Sequence, residues 1–549
     1  MAKYTIGIDF GTLSGRAVLC DVANGHVIAA RQLDYPHGVI DRALPTGEKL
    51  KPDWALQHPQ DYLDVLDDVL PPLTSAVNPE DIIGIAVDVT SATAMPVDKD
   101  MTPLCFLPEW EHNPYAYVMM WKHHACQDQA DRLTAVARER KEPWLAYYGG
   151  KINSEWMYPK LLQICEEAPD VYTAMDKYVD AGEWIIWQLC GSHVRSTSHI
   201  GTKQQYHLGK YPDEEYFAAV NPAFRSVVME KLHGDIAVLA SRVGSVCPEA
   251  AKRWGLSEKT AVAVAIMDAH ACVPAAGLTK PGQMLAIIGT STVHLSFGDT
   301  LTPVPGVCCS VQDGVLPGRV SFESGQTCVG DHFRWLQLNG VPGKLEEEAK
   351  AQNKPIQVYL TELASKLRPG ESGLLALDWW NGNRSILTDS DLTGMMLGMT
   401  LLTRPEEIYR ALIEATAYGT KMIVENYNEH GVPVETFFAS GGISQKNAMC
   451  MQIYADVLNM PVHIVDTPEG PALGSAIYAA VAAGRNNGGY GDMDEAIEAM
   501  KCPVSKVYRP IPEHVEIYAK LFAEYRILHD YFARGENDVM KRLKAIRNS

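Results

Sequence analysis

The chain has 549 residues, more than one hydrophobic core usually organises, so at least two domains are expected. Its 46% hydrophobic and 21% charged residues are ordinary for a globular protein, and a net charge of −19 argues against wrapping a polyanion such as nucleic acid. That balance still admits ATP, which needs only a few local cations and Mg²⁺.

The longest apolar run, Ala261 to Leu278, is interrupted by Asp268, His270 and Pro274, so no membrane span is expected. The amino terminus enters a strand too early for the basic and apolar regions of a signal peptide. Twelve cysteines occur without C-x-x-C pairs, and a bridge between the adjacent Cys308 and Cys309 would be strained. A cytoplasmic protein is the expectation.

Taken in chain order, alternating side chains predict strands over Tyr4–Asp9, Arg16–Asp21 and Val27–Leu33, with Asn24-Gly25 as the second turn. A helix from Pro59 to about Leu70 and a buried strand over Ile82–Asp88 follow. This β-β-β-α-β order is the start of a ribonuclease H-like unit. Residues 100–250, rich in Trp and Tyr, read as an insertion that shapes a pocket. An apolar strand over 261–267 ends at Asp268, and Pro274, Gly277, Pro281 and Gly282 mark the main boundary.

Strands over Met284–Gly289, Val293–Phe297 and Val307–Gln312 reopen the pattern, with a second insertion over 330–390. A long helix from Pro405 to about Glu429, a strand over Thr436–Ala439 and a helix to about Leu458 complete it. Glycines at 484, 488, 489 and 491 precede a tail that reads as helical from Pro512. The expected fold is α/β: two ribonuclease H-like (actin-like ATPase) domains, 1–270 and 271–549, facing a cleft, with a helical tail from about 490. Two uses are open to that tail, a homodimer interface or packing on the second domain.

The chemistry is concentrated in a repeated loop. Gly7-Ile-Asp-Phe-Gly-Thr-Leu-Ser-Gly-Arg16 joins the first two strands, and Ile288-Gly-Thr-Ser-Thr292 is its shortened echo. A β-turn-β hairpin of this kind can hold backbone N–H groups and hydroxyls around phosphate oxygens. Asp9 at the strand end can orient Mg²⁺ through water, while Thr12, Ser14 and Arg16 offer donors to β- and γ-phosphates. Gly289, Thr290, Ser291 and Thr292 offer the same from the second copy. One such loop alone could equally be an ordinary glycine hairpin; the echo favours a two-sided grip on a polyphosphate.

Asp268 closes an apolar strand where a carboxylate is costly unless paired, solvated or functional. It can serve as a general base toward a hydroxyl nucleophile, or as the N-cap of the next helix. In Phe437-Phe-Ala-Ser-Gly-Gly-Ile-Ser-Gln-Lys-Asn447, Gly441 and Gly442 allow backbone to approach a flat ring or phosphate, and Asn447 can meet base or ribose. Trp121-Lys-His-His-Ala-Cys126 and Asp268-Ala-His-Ala-Cys272 resemble metal clusters but lack zinc-site spacing, so packing and hydrogen-bonding histidines are expected. Trp379-Trp380 reads as a packed wall.

These residues resemble the FGGY carbohydrate kinase family. The carrying segment is Gly394-Met-Met-Leu-Gly398-Met399, a seven-residue gap, then Glu407-Ile-Tyr-Arg-Ala-Leu-Ile-Glu414. The phosphate loops, Met-Asp-Ala-His and Ser-Gly-Gly-Ile fall in the family's order, and the resemblance covers roughly residues 4–485. On the sugar side, Val87-Asp-Val-Thr-Ser-Ala-Thr-Ala-Met-Pro96, Ile200-Gly-Thr-Lys-Gln-Gln-Tyr206 and Phe322-Glu-Ser-Gly325 are similar to the ribulokinase branch. Where many members carry Trp-x-Asp or Trp-x-Asn, this chain has Trp121-Lys122-His123.

The resemblance implies that Lys203, Glu323 and Asp268 bind the sugar and that Ala92 lines its pocket. It implies ATP-dependent phosphorylation of a ketopentose, L-ribulose to L-ribulose 5-phosphate in arabinose catabolism, with ATP and Mg²⁺. The alternatives are a kinase for D-ribulose, ribitol or xylulose and, from another class, an actin-like or chaperone-type ATPase.

Overall fold

The computed structural model describes residues 2–467 and 469–548. Two seven-stranded sheets carry the architecture, and they repeat one order. In the first, Val27–Asp34, Ser14–Asp21, Tyr4–Phe10, Ile82–Val89, Ala261–Ala263 and Arg242–Ser245 lie side by side. The first three pair antiparallel, the next two join parallel, and the last returns antiparallel.

In the second sheet Val320–Gln326, Thr292–Gly298, Gln283–Ile288, Thr436–Ser440, Val462–Val465 and Val504–Tyr508 repeat these pairings, with Cys309–Gln312 added at the edge. Together they form the duplicated ribonuclease H-like, actin-like fold expected from the sequence. Several boundaries differ from that expectation. The helix that opens at Pro59 runs to Thr74, because Pro71 and Pro72 are accommodated in its last turn. The segment 307–312, expected as the third strand of the second unit, forms the added edge strand Cys309–Gln312, and Val320–Gln326 takes the third place.

The apolar segment 261–267 forms two short strands, Ala261–Ala263 and Ile266–Met267, both beside Ile82–Val89. The tail is not helical throughout: Val504–Tyr508 is the antiparallel edge of the second sheet. Its helix Pro512–Ala533 turns Tyr518, Phe522 and Tyr525 into the core of the second half, where the Tyr525 hydroxyl donates to Asp378 Oδ1 at 2.6 Å.

Two helices join the sheets. Asp268–Ala275 leaves the first sheet, and Gly470–Ala483 comes from the second half yet packs on Tyr4–Phe10 and Ile82–Val89 of the first. Their backbones touch: a Cβ at Gly474 would lie 1.6 Å from the Ala271 carbonyl oxygen, so no larger residue fits. The apolar cluster around them takes Val18, Ala86 and Ala263 from one sheet and Leu285, Leu295 and Phe297 from the other. This shared core packs the two halves against each other through small residues.

Candidate active site

Register alone assembles the first group. Asp9 sits opposite Arg16 on the antiparallel neighbour and opposite Asp88 on the parallel one, and Ile266 lies beside Asp88 on the next strand. Asp268, two residues on, therefore stands at the same rim of the sheet. Asp88 is fully buried and accepts a 2.6 Å hydrogen bond from Ser475 Oγ on the crossing helix. Asp9 and Asp268 are only partly covered.

Burial pushes Asp9 up to about 6 despite its hydrogen bond with Asp88 and the Arg16 charge. Burial and the Asp9 charge raise Asp88 well above the carboxylate range. Asp268 is raised to about 7, first by burial and then by the charge on Asp9, opposed by the bond from the Ala269 N–H at 2.7 Å. It occupies the first position of its helix, with Met267 as the N-cap. Such a carboxylate is poised to exchange a proton near neutral pH.

The first hairpin tip is buttressed from behind. Trp121 Nε1 donates to Thr12 Oγ1 at 3.0 Å, leaving the threonine O–H to point elsewhere. Gln57 Nε2 donates to the Thr12 carbonyl at 3.0 Å, and Tyr62 OH holds Gln57 Oε1 at 2.7 Å. Ser14 opens the second strand, and Arg16 reaches Gln32 Oε1 at 2.7 Å and Glu469 Oε2 at 3.0 Å.

The second hairpin closes by Gly289 N–H to the Ser291 carbonyl at 2.9 Å, with Thr290 exposed at its tip; Thr292 behind it is buried. The Ser440-Gly441-Gly442 turn lies on the adjacent parallel strand. Gly441 has φ +92°, and a Cβ there would lie 2.6 Å from the Ile288 carbonyl oxygen, whereas Gly442 faces open space. Asn447 Oδ1 accepts from the Cys450 N–H at 3.0 Å, and its Nδ2 donates to Tyr409 OH at 3.1 Å, so its amide fixes the next helix.

The sugar-side residues converge as well. Lys203 Nζ donates to Glu323 Oε1 at 3.0 Å, and the pair spans the two halves. The lysine and the His270 imidazole hold the Glu323 carboxyl well below its usual range against the cost of burial, and Glu323 in turn raises Lys203. Both charges also act on Asp268, so that carboxylate is flanked by Asp9 and by this ion pair. Ala92 is held at φ +46°, its carbonyl accepting from Lys160 Nζ at 2.6 Å. A second ion pair, Arg384 Nη2 to Glu155 Oε1 at 3.0 Å, crosses between the same halves.

Three sequence readings can be placed. His123 is fully buried, faces Gln163 Oε1 at 3.0 Å and accepts from the Ala55 N–H at 3.4 Å; burial lowers it to about 3, so it is a neutral packing residue. Trp379 is wholly buried against His529, as a packed wall requires. Among the described residues no cluster of three or more His, Cys, Asp or Glu could hold a metal directly. Asp88, Ser475 and Glu469 were missed. Asp88 was legible as a second carboxylate ending an apolar strand; the other two lie on or just before a helix whose small residues give no periodic signal.

The FGGY family of carbohydrate kinases matches the chain with its N-terminal domain over residues 4–273 and its C-terminal domain over residues 284–483. A protein of Bacillus licheniformis named ribulokinase is 52% identical over 540 residues, covering 98% of each chain. One of Mycolicibacterium smegmatis with the same name is 44% identical, covering 100% of this chain and 97% of its own. Among solved structures, a gluconate kinase from Lactobacillus acidophilus superposes with a TM-score of 0.79 at 18% identity, covering 97% of this chain and 99% of its own, a likeness of fold. By its two matched domains and full-length relatives, the chain belongs to the FGGY family of carbohydrate kinases.

Proposed function

We propose that this chain transfers the γ-phosphoryl group of ATP to the terminal hydroxyl of a ketopentose, with L-ribulose as its first substrate. Full-length identity of 52% to a ribulokinase supports the reaction. The observation that carries it is the position of Asp268, raised to about 7 between the Asp9–Asp88 carboxylates and the Lys203–Glu323 pair. A sugar held by Lys203 and Glu323, with Ala92 lining the pocket, would present a hydroxyl to Asp268, which accepts its proton as the oxygen attacks phosphorus.

On the other side, Thr12, Ser14 and Arg16 would meet the terminal phosphates from the first half, and Gly289 and Thr290 from the second. The Gly441-Gly442 turn and Asn447 would receive the nucleoside end. The adjacent carboxylates fit a divalent cation: burial raises both, the Asp9 charge raises Asp88 further, and the buried Asp88 Oδ1 has no hydrogen-bond partner. Mg²⁺ held through water by Asp9 would supply charge neutralisation on the transferred group.

Positioning and electrostatics suffice for this reaction class without a covalent intermediate. The reading includes a cytoplasmic location; among the described residues no helix is long and apolar enough to cross a membrane. Steady-state kinetics with L-ribulose, D-ribulose, ribitol and D-xylulose test the substrate. The highest kcat/KM is expected for L-ribulose; a clear preference for a pentitol or for xylulose would overturn the assignment.

A further inference from the structure

Among the described residues, His270 is the one imidazole hydrogen-bonded to Glu323, and it stands on the helix of the proposed base. It lies two residues after Asp268 on the same helix and is 1% exposed, so it has almost no free face to offer a substrate. Its Nε2 faces Glu323 Oε2 at 3.2 Å, on the strand Val320–Gln326 of the second half. Its Nδ1 lies 3.0 Å from Ser198 Oγ, on the helix Thr197–Lys203 that ends in Lys203. The same nitrogen is 2.9 Å from the Gly314 carbonyl oxygen, in the loop leading to the Glu323 strand.

A histidine that merely fills a core can satisfy its nitrogens anywhere. This one meets each of the elements that carry Asp268, Lys203 and Glu323. Glu323 also divides its oxygens: Oε1 takes Lys203 and Oε2 takes His270. Without the imidazole, Oε2 would lose its donor in a buried setting and the carboxylate would be free to turn.

We infer that His270 is a positioning residue for sugar recognition, fixing the Glu323 carboxylate and setting the Lys203–Glu323 pair at a constant offset from Asp268. This rests on the kinase reading above, and it assigns a role to the Met-Asp-Ala-His element beyond its aspartate. The hydrogen bonds of His270 go to Ser198, Gly314 and Glu323, none of them assigned to the nucleotide, so the effect is expected on the sugar.

The test compares His270→Asn with His270→Gln in the full chain. Asparagine can keep a polar contact near Nδ1 but is too short to reach Glu323; glutamine places an N–H near the Nε2 position. KM for L-ribulose is expected to rise about tenfold in His270→Asn and to return to within about threefold of the unmutated value in His270→Gln, with KM for ATP changed less than about twofold in both. In a Glu323→Gln background, His270→Asn should add less than about twofold, because the partner it positions is already altered.

An unchanged sugar KM in His270→Asn, equal losses for sugar and ATP, or full additivity with Glu323→Gln would overturn the inference. Should His270→Asn not fold, His270→Ser takes its place in the same additivity comparison with Glu323→Gln. Failure of the unmutated chain to phosphorylate any of the four sugars would instead remove the kinase reading, and the inference with it.

Discussion

The two hairpins share a register but not a chemistry. In the first half the residue two places before the loop glycine is Asp9, and its neighbours across the sheet are Arg16 and Asp88. In the second half the equivalent residue is Ile287, flanked by Val293 and Ser440. One triple is charged and carries raised carboxylates; the other is apolar or hydroxylic and, on the proposed reading, leaves phosphate contact to the hairpin and the glycine turn. The two halves repeat one hairpin, and the paired carboxylates stand beside the first alone. The second half contributes Glu323, which meets Lys203 and His270.

The largest effect that sharpens this asymmetry is expected at Asp268. Asp268→Asn should lower kcat by about 10²–10⁴-fold with little change in ATP affinity, measured by steady-state kinetics and nucleotide titration. The same substitution should stabilise the fold at alkaline pH. Because Asp268 is raised to about 7 in the folded state, its penalty grows as pH rises from the unfolded carboxylate range through about 7. The variant's gain, on the order of 2 kcal/mol in thermal melts above that pH, should vanish in acid.

Next comes the sugar pair, where Glu323→Gln or Lys203→Met should reduce kcat/KM for the sugar by about 10–100-fold, since each strands a buried charge. The pH profile of kcat/KM should fall on the acid side of about 7, losing about tenfold per unit as Asp268 takes up its proton. A flat profile from pH 5 to 8 would separate the base from Asp268.

The hairpins themselves give a smaller contrast. Arg16→Ala should raise KM for ATP by about tenfold and Thr290→Val by about threefold, because only the first loop supplies a charged donor. Equal effects would erase the distinction between the halves. Smallest is Arg384→Ala, which removes a partly exposed ion pair across the cleft and should change sugar KM by about two- to threefold.

Much of this was legible in the sequence where local signals were strong. The helix Pro405–Glu429 has the bounds expected from the sequence, and at its start Glu407 Oε2 accepts from the Arg404 N–H at 2.7 Å. The strands of both hairpins showed through their alternation and glycine turns. The crossing helix Gly470–Ala483 did not. It is buried on nearly every side and built from Ala and Gly, so it has no polar face to mark a helical period. His270 was read only as a hydrogen-bonding histidine because its partners, Ser198 and Glu323, lie 72 and 53 residues away. Local pattern reports an element; only the fold reports which elements meet.

Transfer of the phosphoryl group to a sugar hydroxyl positioned at Asp268 can be followed by ADP release with and without L-ribulose, with the phosphate located on the product by NMR. ADP release is expected to depend on the sugar, and the product to carry a phosphomonoester on its terminal carbon. ADP release at the same rate without sugar, and no phosphorylated sugar, would contradict that transfer.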